Sequence, residues 1–272
     1  MNTSSLRAAL RRVAPRVYGL LRPFTGRQRR YSRILRELGV DHLKPVVQAG
    51  PFVGMTFLRW ATTGAILPKV LGCFEEELHA ALEAALTERP RVVVNIGCGE
   101  GYYAVGIARR LPTCMVYAFD TDRTAREQCA QLATLNAVAD RVHIGGVLRP
   151  KDLVGLPIEG GLVVCDCEGC EYTLLDPHAV PTLATCDLIV ELHDIDDGSQ
   201  PAAMLARFNS SHELALVAYA PHSAERARVA ARLSRLEDRA LAVVDEARLP
   251  GQQWAVLRPR ARLRAGVPEQ RS

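Results

Sequence analysis

The chain has 272 residues, of which 48% are hydrophobic and 24% charged, a composition typical of a globular protein and not of a disordered or fibrous one. It lacks the run of about 18 apolar residues that a membrane-spanning helix needs, and arginines interrupt the N-terminal stretch where a secretion signal is apolar. The net charge of +4 is uneven, because residues 1–36 contain ten arginines and no acid, which leaves −6 on the remainder. We therefore expect a cytoplasmic globular protein with a basic arm, residues 1–36.

The basic arm and the residues just after it are predicted to form two helices. Pro15 and Pro23 interrupt the first, whereas the second spans residues 27–38 and ends at Gly39. Arginine-rich segments are solvated extensions, lie on anionic membrane surfaces or bind acidic partners, and the sequence leaves these three interpretations open. A nucleic-acid partner is disfavoured, because the rest of the chain is acidic.

A short β-hairpin and a helix are predicted next. Residues 44–60 alternate around Gly50 and Gly54, which favours a hairpin, and residues 74–87 have the pattern of an amphipathic helix. We assign the arm, the hairpin and this lead-in helix to an N-terminal unit, 1–88. A sheet domain, 89–260, and an arginine-containing tail, 261–272, follow it.

Strands and helices alternate along the sheet domain. Strands are predicted at 91–96, 114–119, 141–145, 161–166, 187–192, 212–219 and 253–258, and helices at 101–111, 122–136, 170–176, 199–208 and within 222–247. This alternation predicts an α/β fold with a doubly wound, mostly parallel, seven-stranded sheet and an N-terminal helical and hairpin extension. Ligands of such sheets bind at the carboxyl ends of the strands.

A glycine turn follows the first predicted strand of the sheet. Gly97, Gly99 and Gly101 stand at alternate positions, and a helical pattern begins at Tyr102. Glycine lets a ligand approach the backbone, and the N-terminus of the following helix favours negative charge, so the turn predicts an anionic or carboxylate-bearing cofactor. Dinucleotide-binding turns have the spacing G-x-G-x-x-G, but Tyr102 occupies the third glycine position here, which argues against NAD.

An acidic residue ends the second predicted strand. Asp120 lies 21 residues after Gly99, near the spacing of about 20 at which a carboxylate accepts hydrogen bonds from ribose hydroxyls. Asp122 is a weaker candidate for that role and is also a candidate cap of the next helix, as Asp120 itself is. The position of Asp120 predicts a nucleoside cofactor without distinguishing between cofactor classes.

Ionisable residues also end the fourth and fifth predicted strands. Asp166, Glu168 and Glu171 follow the fourth strand, and Glu191 and His193 lie at the end of the fifth. Because the carboxyl ends of parallel strands meet at one edge of a sheet, these side chains are expected beside the cofactor. We expect no metal here, although a divalent cation held by Asp166, Glu168, Glu191 and His193 is a geometrically feasible alternative.

The eight cysteines are interpreted as reduced thiols, most of them buried. Three of them, Cys165, Cys167 and Cys170, are closely spaced at the end of the fourth predicted strand. A zinc site usually adds a second Cys/His pair, and none with suitable spacing is evident. We therefore predict neither a disulfide framework nor a zinc site.

The motifs together resemble those of a known enzyme family. The turn Gly97–Gly101 resembles motif I of class I methyltransferases, and Asp166–Glu171 resembles the D-x-E-G-x-E pattern of FkbM-type methyltransferases. The segment Leu67–His79 is similar to one in a related bacterial group, and the resemblance spans about residues 64–195. It implies a Rossmann-like class I fold that binds S-adenosyl-L-methionine (SAM) and methylates a hydroxyl of a small-molecule or saccharide acceptor.

The resemblance also implies roles for individual residues. The glycine turn packs against the methionine part of SAM in this family, and Asn95 takes the place where many members have an acid. We expect His193 to be the base that accepts the proton of the acceptor, with Asp166 and Glu168 as the next candidates. Of these two acids, Asp166 is the one expected to contact the amino group of SAM. The alternatives are a histidine that only orders the end of a strand and acids that only begin a helix.

Three other functions compete with this prediction. An RNA methyltransferase would hold phosphates with the basic arm, but the Asn-Pro-Pro-aromatic motif of base-methylating enzymes is missing from the sequence. A NAD-dependent oxidoreductase is disfavoured by the glycine spacing. A non-catalytic protein that retained the fold is disfavoured by the intact glycines and the ionisable ends of the strands.

Overall fold

The computed structural model describes residues 26–61, 65–193, 199–220, 224–233 and 252–265. Most of the basic arm, including the first predicted helix, lies outside the described residues, as do most of the tail and part of the helical stretch predicted within 222–247. Among the described helices, none combines the length and apolar character needed to cross a bilayer.

A single seven-stranded sheet forms the centre of the described structure, and its strand order is β3-β2-β1-β4-β5-β7-β6. Strands β1 to β5 are parallel, and β7 runs antiparallel to both neighbours, β5 and β6. The predicted doubly wound, mostly parallel, seven-stranded sheet is confirmed, with strand bounds close to those predicted. The strands are β1 Val92–Ile96, β2 Met115–Phe119, β3 Val142–Gly145, β4 Leu162–Cys165, β5 Asp187–Leu192, β6 His212–Ala218 and β7 Gln253–Pro259.

Helices flank the sheet and precede it. Those that the sequence predicted are α1 Gly26–Glu37, α3 His79–Thr87, α4 Tyr102–Arg110, α5 Arg123–Leu135, α7 Glu171–Leu174, α8 Ser199–Ala206 and α9 Ala224–Leu233. The helix expected from residue 74 begins instead with a 3-10 turn, Glu76–Leu78, because Glu75 has a left-handed backbone conformation. Three further helices have only five or six residues, too few for a periodic pattern: α2 Ile66–Leu71, α6 Pro150–Val154 and α10 Arg260–Ala265.

The central strands are buried on both faces, as expected of parallel strands that helices cover. On β1, Val93 belongs to an apolar cluster that includes α4, α5 and the N-terminal segment, whereas Val94 and Ile96 belong to a cluster on the opposite face. Successive side chains of a strand point to opposite faces, so one short apolar run serves both layers.

The predicted hairpin is reduced to a tight turn with a single antiparallel bridge, Val46 to Thr56. It is attached to the sheet domain by polar and apolar contacts. The side-chain amide of Asn136 donates to the carbonyl of Thr56 at 2.8 Å and accepts the Thr56 N–H at 2.9 Å. The ring of Phe52 packs so closely on Gly106 that a Cβ there would lie 2.5 Å from it. The described N-terminal segment therefore shares its core with the sheet.

Candidate functional site

A cavity of about 570 Å³ opens at the carboxyl ends of β1, β2, β4 and β5. This is the edge at which open α/β sheets bind ligands, and the volume is within the usual range for a small-molecule site. The predicted site residues that line it are Gly97, Gly99, Asp120, Asp166, Glu168 and His193. The tertiary structure thus places residues that are up to 96 positions apart around one space.

The glycine turn is required first of all by the packing of the backbone. A Cβ on Gly97 would lie 1.6 Å from the carbonyl oxygen of Asp166, so only glycine lets the ends of β1 and β4 approach this closely. Gly101 precedes α4 with φ of 97°, and a Cβ there would lie 2.7 Å from the sulfur of Cys129. Gly101 does not line the cavity. Its absence of a side chain serves the packing of α4 against α5.

Asp120 is held in place by backbone amides at the mouth of the glycine turn. One carboxylate oxygen accepts the N–H of Gly99 at 2.8 Å, and the other accepts the N–H of Asp122 at 2.8 Å. Each carboxylate oxygen retains a lone pair for a further donor. Asp122, in contrast, caps α5 by accepting the N–H groups of Thr124 and Ala125. The helix-cap alternative therefore applies to Asp122 and not to Asp120.

Asn95 lies beneath the site and does not line the cavity. Its side chain is 1% exposed on the face of β1 opposite Ile96, and its amide nitrogen donates to the carbonyl of Val164 at 3.4 Å. The side-chain oxygen of Asn95 has no hydrogen-bond partner among the described residues. A cofactor-binding role for Asn95, with the amino group of the cofactor reached partly through water, stays a prediction, and the side chain points into the helical layer and not into the cavity.

His193 lies at the centre of four carboxylates. Its Nδ1 is 2.9 Å from Glu171, and its Nε2 lies 3.4 Å from Glu168, 3.6 Å from Asp166 and 3.9 Å from Glu191. The hydroxyl of Tyr172 donates to the backbone carbonyl of His193, which fixes the end of β5 against α7. Adjacent parallel strands and the loop after β4 therefore bring together the residues predicted at the two strand ends.

Glu171 is the carboxylate that orients His193. It is fully buried, and it accepts the N–H groups of Cys167 at 2.9 Å and of Gly169 at 2.8 Å. Burial raises the pKa of Glu171, but the hydrogen bonds from His193 and Cys167 outweigh burial and leave the pKa below its ordinary value. The sequence-based alternative, that Glu171 begins a helix, is also correct in part, since α7 starts at this residue.

The charge of His193 follows from the same contacts. Burial lowers the pKa of His193, but the hydrogen bond and charge of Glu171, together with Glu191 and Asp166, raise it to about 9. His193 is therefore an imidazolium at neutral pH, with both ring nitrogens acting as donors. In that form it stabilises nearby negative charge, and it becomes a base only after it loses a proton.

A second charged group in the cavity wall was not predicted. Lys69 in α2 is 5% exposed and Glu100 in the glycine turn 1% exposed, and their charged atoms lie 2.5 Å apart. The Lys69 ammonium also lies 4.5 Å from the centre of the Phe74 ring. Next to it, the hydroxyl of Tyr103 donates to the buried Glu75. No periodic signal pairs residues 31 positions apart, so only the fold reveals this pair.

One prediction about the cysteines is wrong. Cys167 and Cys170 form a disulfide bond, whereas the other six cysteines are free and buried. The physical reason is the sharp turn between them, in which Glu168 and Gly169 both have positive φ. The turn brings the two Cα atoms to 5.5 Å, within the range of a disulfide.

Two groups in this region bring three metal-ligating atoms within 4.8 Å of one another: Cys165, Cys167 and Glu171, and Asp166, Glu171 and His193. Glu171 belongs to both groups and already accepts two backbone N–H groups and His193. Cys167 is in addition bonded to Cys170. The shared Glu171 carboxylate and the Cys167 sulfur are therefore already engaged by protein groups.

The chain is similar to several solved structures of other proteins. No protein-family model and no curated protein sequence matches the chain. Among solved structures, the O-methyltransferase TomG from Streptomyces achromogenes in complex with SAM is 17% identical, with 55% of this chain and 74% of that chain covered and a TM-score of 0.40. Precorrin-6y C5,15-methyltransferase from Geobacter metallireducens is 14% identical, with 52% and 76% covered and a TM-score of 0.41.

Cofactor-bound Rv0187 from MTB is 17% identical, with 57% of this chain and 88% of that chain covered and a TM-score of 0.41. The fold class rests on the strand order and strand directions described above, and the chain has a Rossmann-like, mostly parallel α/β fold.

Proposed function

We propose that the chain is a SAM-dependent methyltransferase of the FkbM-like group that methylates a hydroxyl of a small molecule or a saccharide. The observation that supports this most is the position of Asp120. Its carboxylate is oriented by the Gly99 amide and lines the same cavity as Asp166, Glu168 and His193. A nucleoside-binding acid and a cluster of proton-transfer groups thus face one space. The motif I and D-x-E-G-x-E resemblances supply the cofactor and family assignment.

The residues around the cavity fit such a cofactor. Asp120 has carboxylate lone pairs left for ribose hydroxyls, and the backbone of Gly97 and Gly99 is open to the cavity. We assign Asp166 to the amino group of SAM, since Asp166 lines the cavity directly after β4, the neighbour of β1. SAM, when bound, supplies an electrophilic methyl group next to a positively charged sulfur. The carboxylates of the site favour that charge.

The chain must also remove a proton from a hydroxyl acceptor. His193 is 2.9 Å from Glu171, which holds the ring in one orientation facing Asp166 and Glu168. Because the pKa of His193 is raised to about 9, His193 is protonated at neutral pH, and the neighbouring carboxylates Asp166 and Glu168 are the alternative proton acceptors. Glu168 is 88% exposed at its side chain and is the easiest of the three for an entering acceptor to reach.

Calorimetry with the full chain tests the cofactor assignment. We expect S-adenosylhomocysteine (SAH) and SAM to bind with micromolar affinity, and NADH not to bind. Binding of NADH without binding of SAM or SAH would overturn the proposal. The acceptor is then identified by incubating the protein with methyl-labelled SAM and a fractionated extract of the host, followed by analysis of the labelled product.

A further inference from the structure

We propose that the Cys167–Cys170 disulfide is a reversible redox switch that sets the affinity and charge of the candidate active site. The proposal concerns regulation of that site and rests on the proposed function for its cofactor. It starts from where the bond lies. Both cysteines line the cavity, whereas the six free cysteines are buried and most lie away from it. The disulfide is therefore open to small thiols and disulfides that enter the cavity.

The disulfide bond contributes little to the overall stability of the folded chain. It joins residues three positions apart, and a disulfide that closes so short a loop removes little entropy from the unfolded chain. Disulfides in proteins that otherwise keep their thiols reduced are usually transient, catalytic or redox-sensing. The effect of this bond is expected to be local, on the loop 166–171 that it spans.

That loop holds the charged centre of the site. Glu168 and Gly169, between the two cysteines, have φ of 56° and 109°, a conformation that is costly for the glutamate. The turn aims the N–H groups of Cys167 and Gly169 at the buried Glu171. Glu171 in turn holds His193 at 2.9 Å. One covalent bond is therefore linked, through two backbone hydrogen bonds and one carboxylate, to the orientation of His193.

Reduction releases this arrangement. A dithiol reductant attacks one sulfur of the bond as its thiolate, a mixed disulfide forms, and the second thiol of the reductant displaces it. Two electrons and two protons pass to the cysteines, which become separate thiols, and the reductant leaves as a disulfide. The loop then loses the link that holds its left-handed turn, and Glu171 loses part of its hydrogen bonding. A disulfide oxidant such as oxidised glutathione reverses the reaction.

Cys165 does not compete as the attacking group. Its sulfur lies 3.7 Å from that of Cys167, but it is completely buried. Burial raises the pKa of the Cys165 thiol well above its ordinary value, helped by the charges of Glu171 and Asp166. It stays a neutral thiol, which is a poor nucleophile, so the switch depends on an external reductant.

The test compares the full chain after treatment with oxidised glutathione and after treatment with dithiothreitol. Alkylation and mass spectrometry measure the state of Cys167 and Cys170, calorimetry measures the affinity for SAH, and NMR measures the pKa of His193. Cys170→Ser removes the bond. Cys114→Ser is the matched control, because Cys114 is a buried thiol at the amino end of β2, and the cavity lies at the carboxyl ends of the strands.

We expect the oxidised form to bind SAH about five-fold or more tightly than the reduced form, because its loop is pre-organised. The difference should persist in Cys114→Ser and vanish in Cys170→Ser, whose affinity matches the reduced protein. The pKa of His193 should fall on reduction. Failure of the bond to form, or equal affinity and equal His193 pKa in both states, would overturn the switch. If neither state binds SAH, the proposed function is wrong. The change in the pKa of His193 between the oxidised and reduced proteins then still tests the switch.

Discussion

Replacing Glu171 by glutamine tests how the candidate active site is held together. The buried Glu171 carboxylate accepts hydrogen bonds from the N–H groups of Cys167 and Gly169 and from His193. A glutamine has the same shape but only one acceptor oxygen, so its NH₂ group must face at least one of these donors. Hydrogen bonds to a charged group contribute about 1.5–3 kcal/mol each. We expect Glu171→Gln to lower the free energy of unfolding by about 3 kcal/mol at pH 6–7.

The same substitution changes the pH dependence of stability. The pKa of His193 is raised to about 9 from its ordinary value of 6.5, which corresponds to about 3 kcal/mol of stabilisation of the native state. This contribution is complete below pH 6.5 and is lost as the pH rises towards 9. The pKa of Glu171 is lowered, so its contribution is present above its ordinary value of 4.5 and is lost in more acidic solution.

NMR titration of His193 and urea unfolding at pH 5, 6.5 and 9 measure these effects. In Glu171→Gln, the pKa of His193 should fall by more than one pH unit, because the carboxylate whose hydrogen bond and charge raise this pKa most is removed. The loss of stability between pH 6.5 and 9 should shrink accordingly. Glu127→Gln is the control, because that side chain is 61% exposed on α5 and does not line the cavity, so its substitution should change little. An unchanged His193 pKa in Glu171→Gln would refute the reasoning.

Four further outcomes are expected. Asp120→Asn should weaken SAH binding at least ten-fold, as measured by calorimetry. Asp122→Ala, which removes the α5 cap, should lower the free energy of unfolding in urea by about 1 kcal/mol and leave the affinity for SAH unchanged. Equal affinities of the two variants would rule out the contact of Asp120 with the ribose. Lys69→Met removes the ammonium 2.5 Å from the buried Glu100 carboxylate and should lower the free energy of unfolding by about 3–5 kcal/mol. The double variant Lys69→Met/Glu100→Gln should recover much of that loss, and no recovery would contradict the ion pair. If His193 is the base, only about 1% of it is deprotonated at pH 7, and the methylation rate should rise about ten-fold per pH unit towards pH 9. A rate that does not change with pH would mean that a neighbouring carboxylate, and not His193, accepts the proton of the acceptor. Deleting residues 1–25 should leave SAH affinity unchanged; a loss would place the arm in the cofactor site.

The sheet is the part of the fold that sequence predicted best. Each strand is a short apolar run bounded by turn residues, and β1 gives the clearest signal because three glycines follow it. The periodicity of side chains is a local property, so it is visible without knowledge of the fold. The short helices α2, α6 and α10 gave no such signal, and neither did the contraction of the hairpin to one bridge.

The residues of the site were predicted unevenly, and the reason is physical. Asp120 and His193 could be found because they end strands, and the carboxyl ends of parallel strands share an edge. The direction of the Asn95 side chain was not evident from the motif, since a shift of one position along a strand turns a side chain to the other face. The role of Gly97 was only half recognised, because the carbonyl of Asp166 that requires it lies 69 positions away.

By itself, the sequence determined which segments are strands and which side chains stand at the carboxyl ends of those strands. Only the tertiary structure decided how those side chains interact. The Lys69–Glu100 pair, the Cys167–Cys170 bond and the raised pKa of His193 all depend on distances of a few ångströms between separate segments. The energy of two charges depends on the distance between them, and a disulfide forms only within a narrow range of Cα separations. A pattern of residue types along the chain carries no information about these distances.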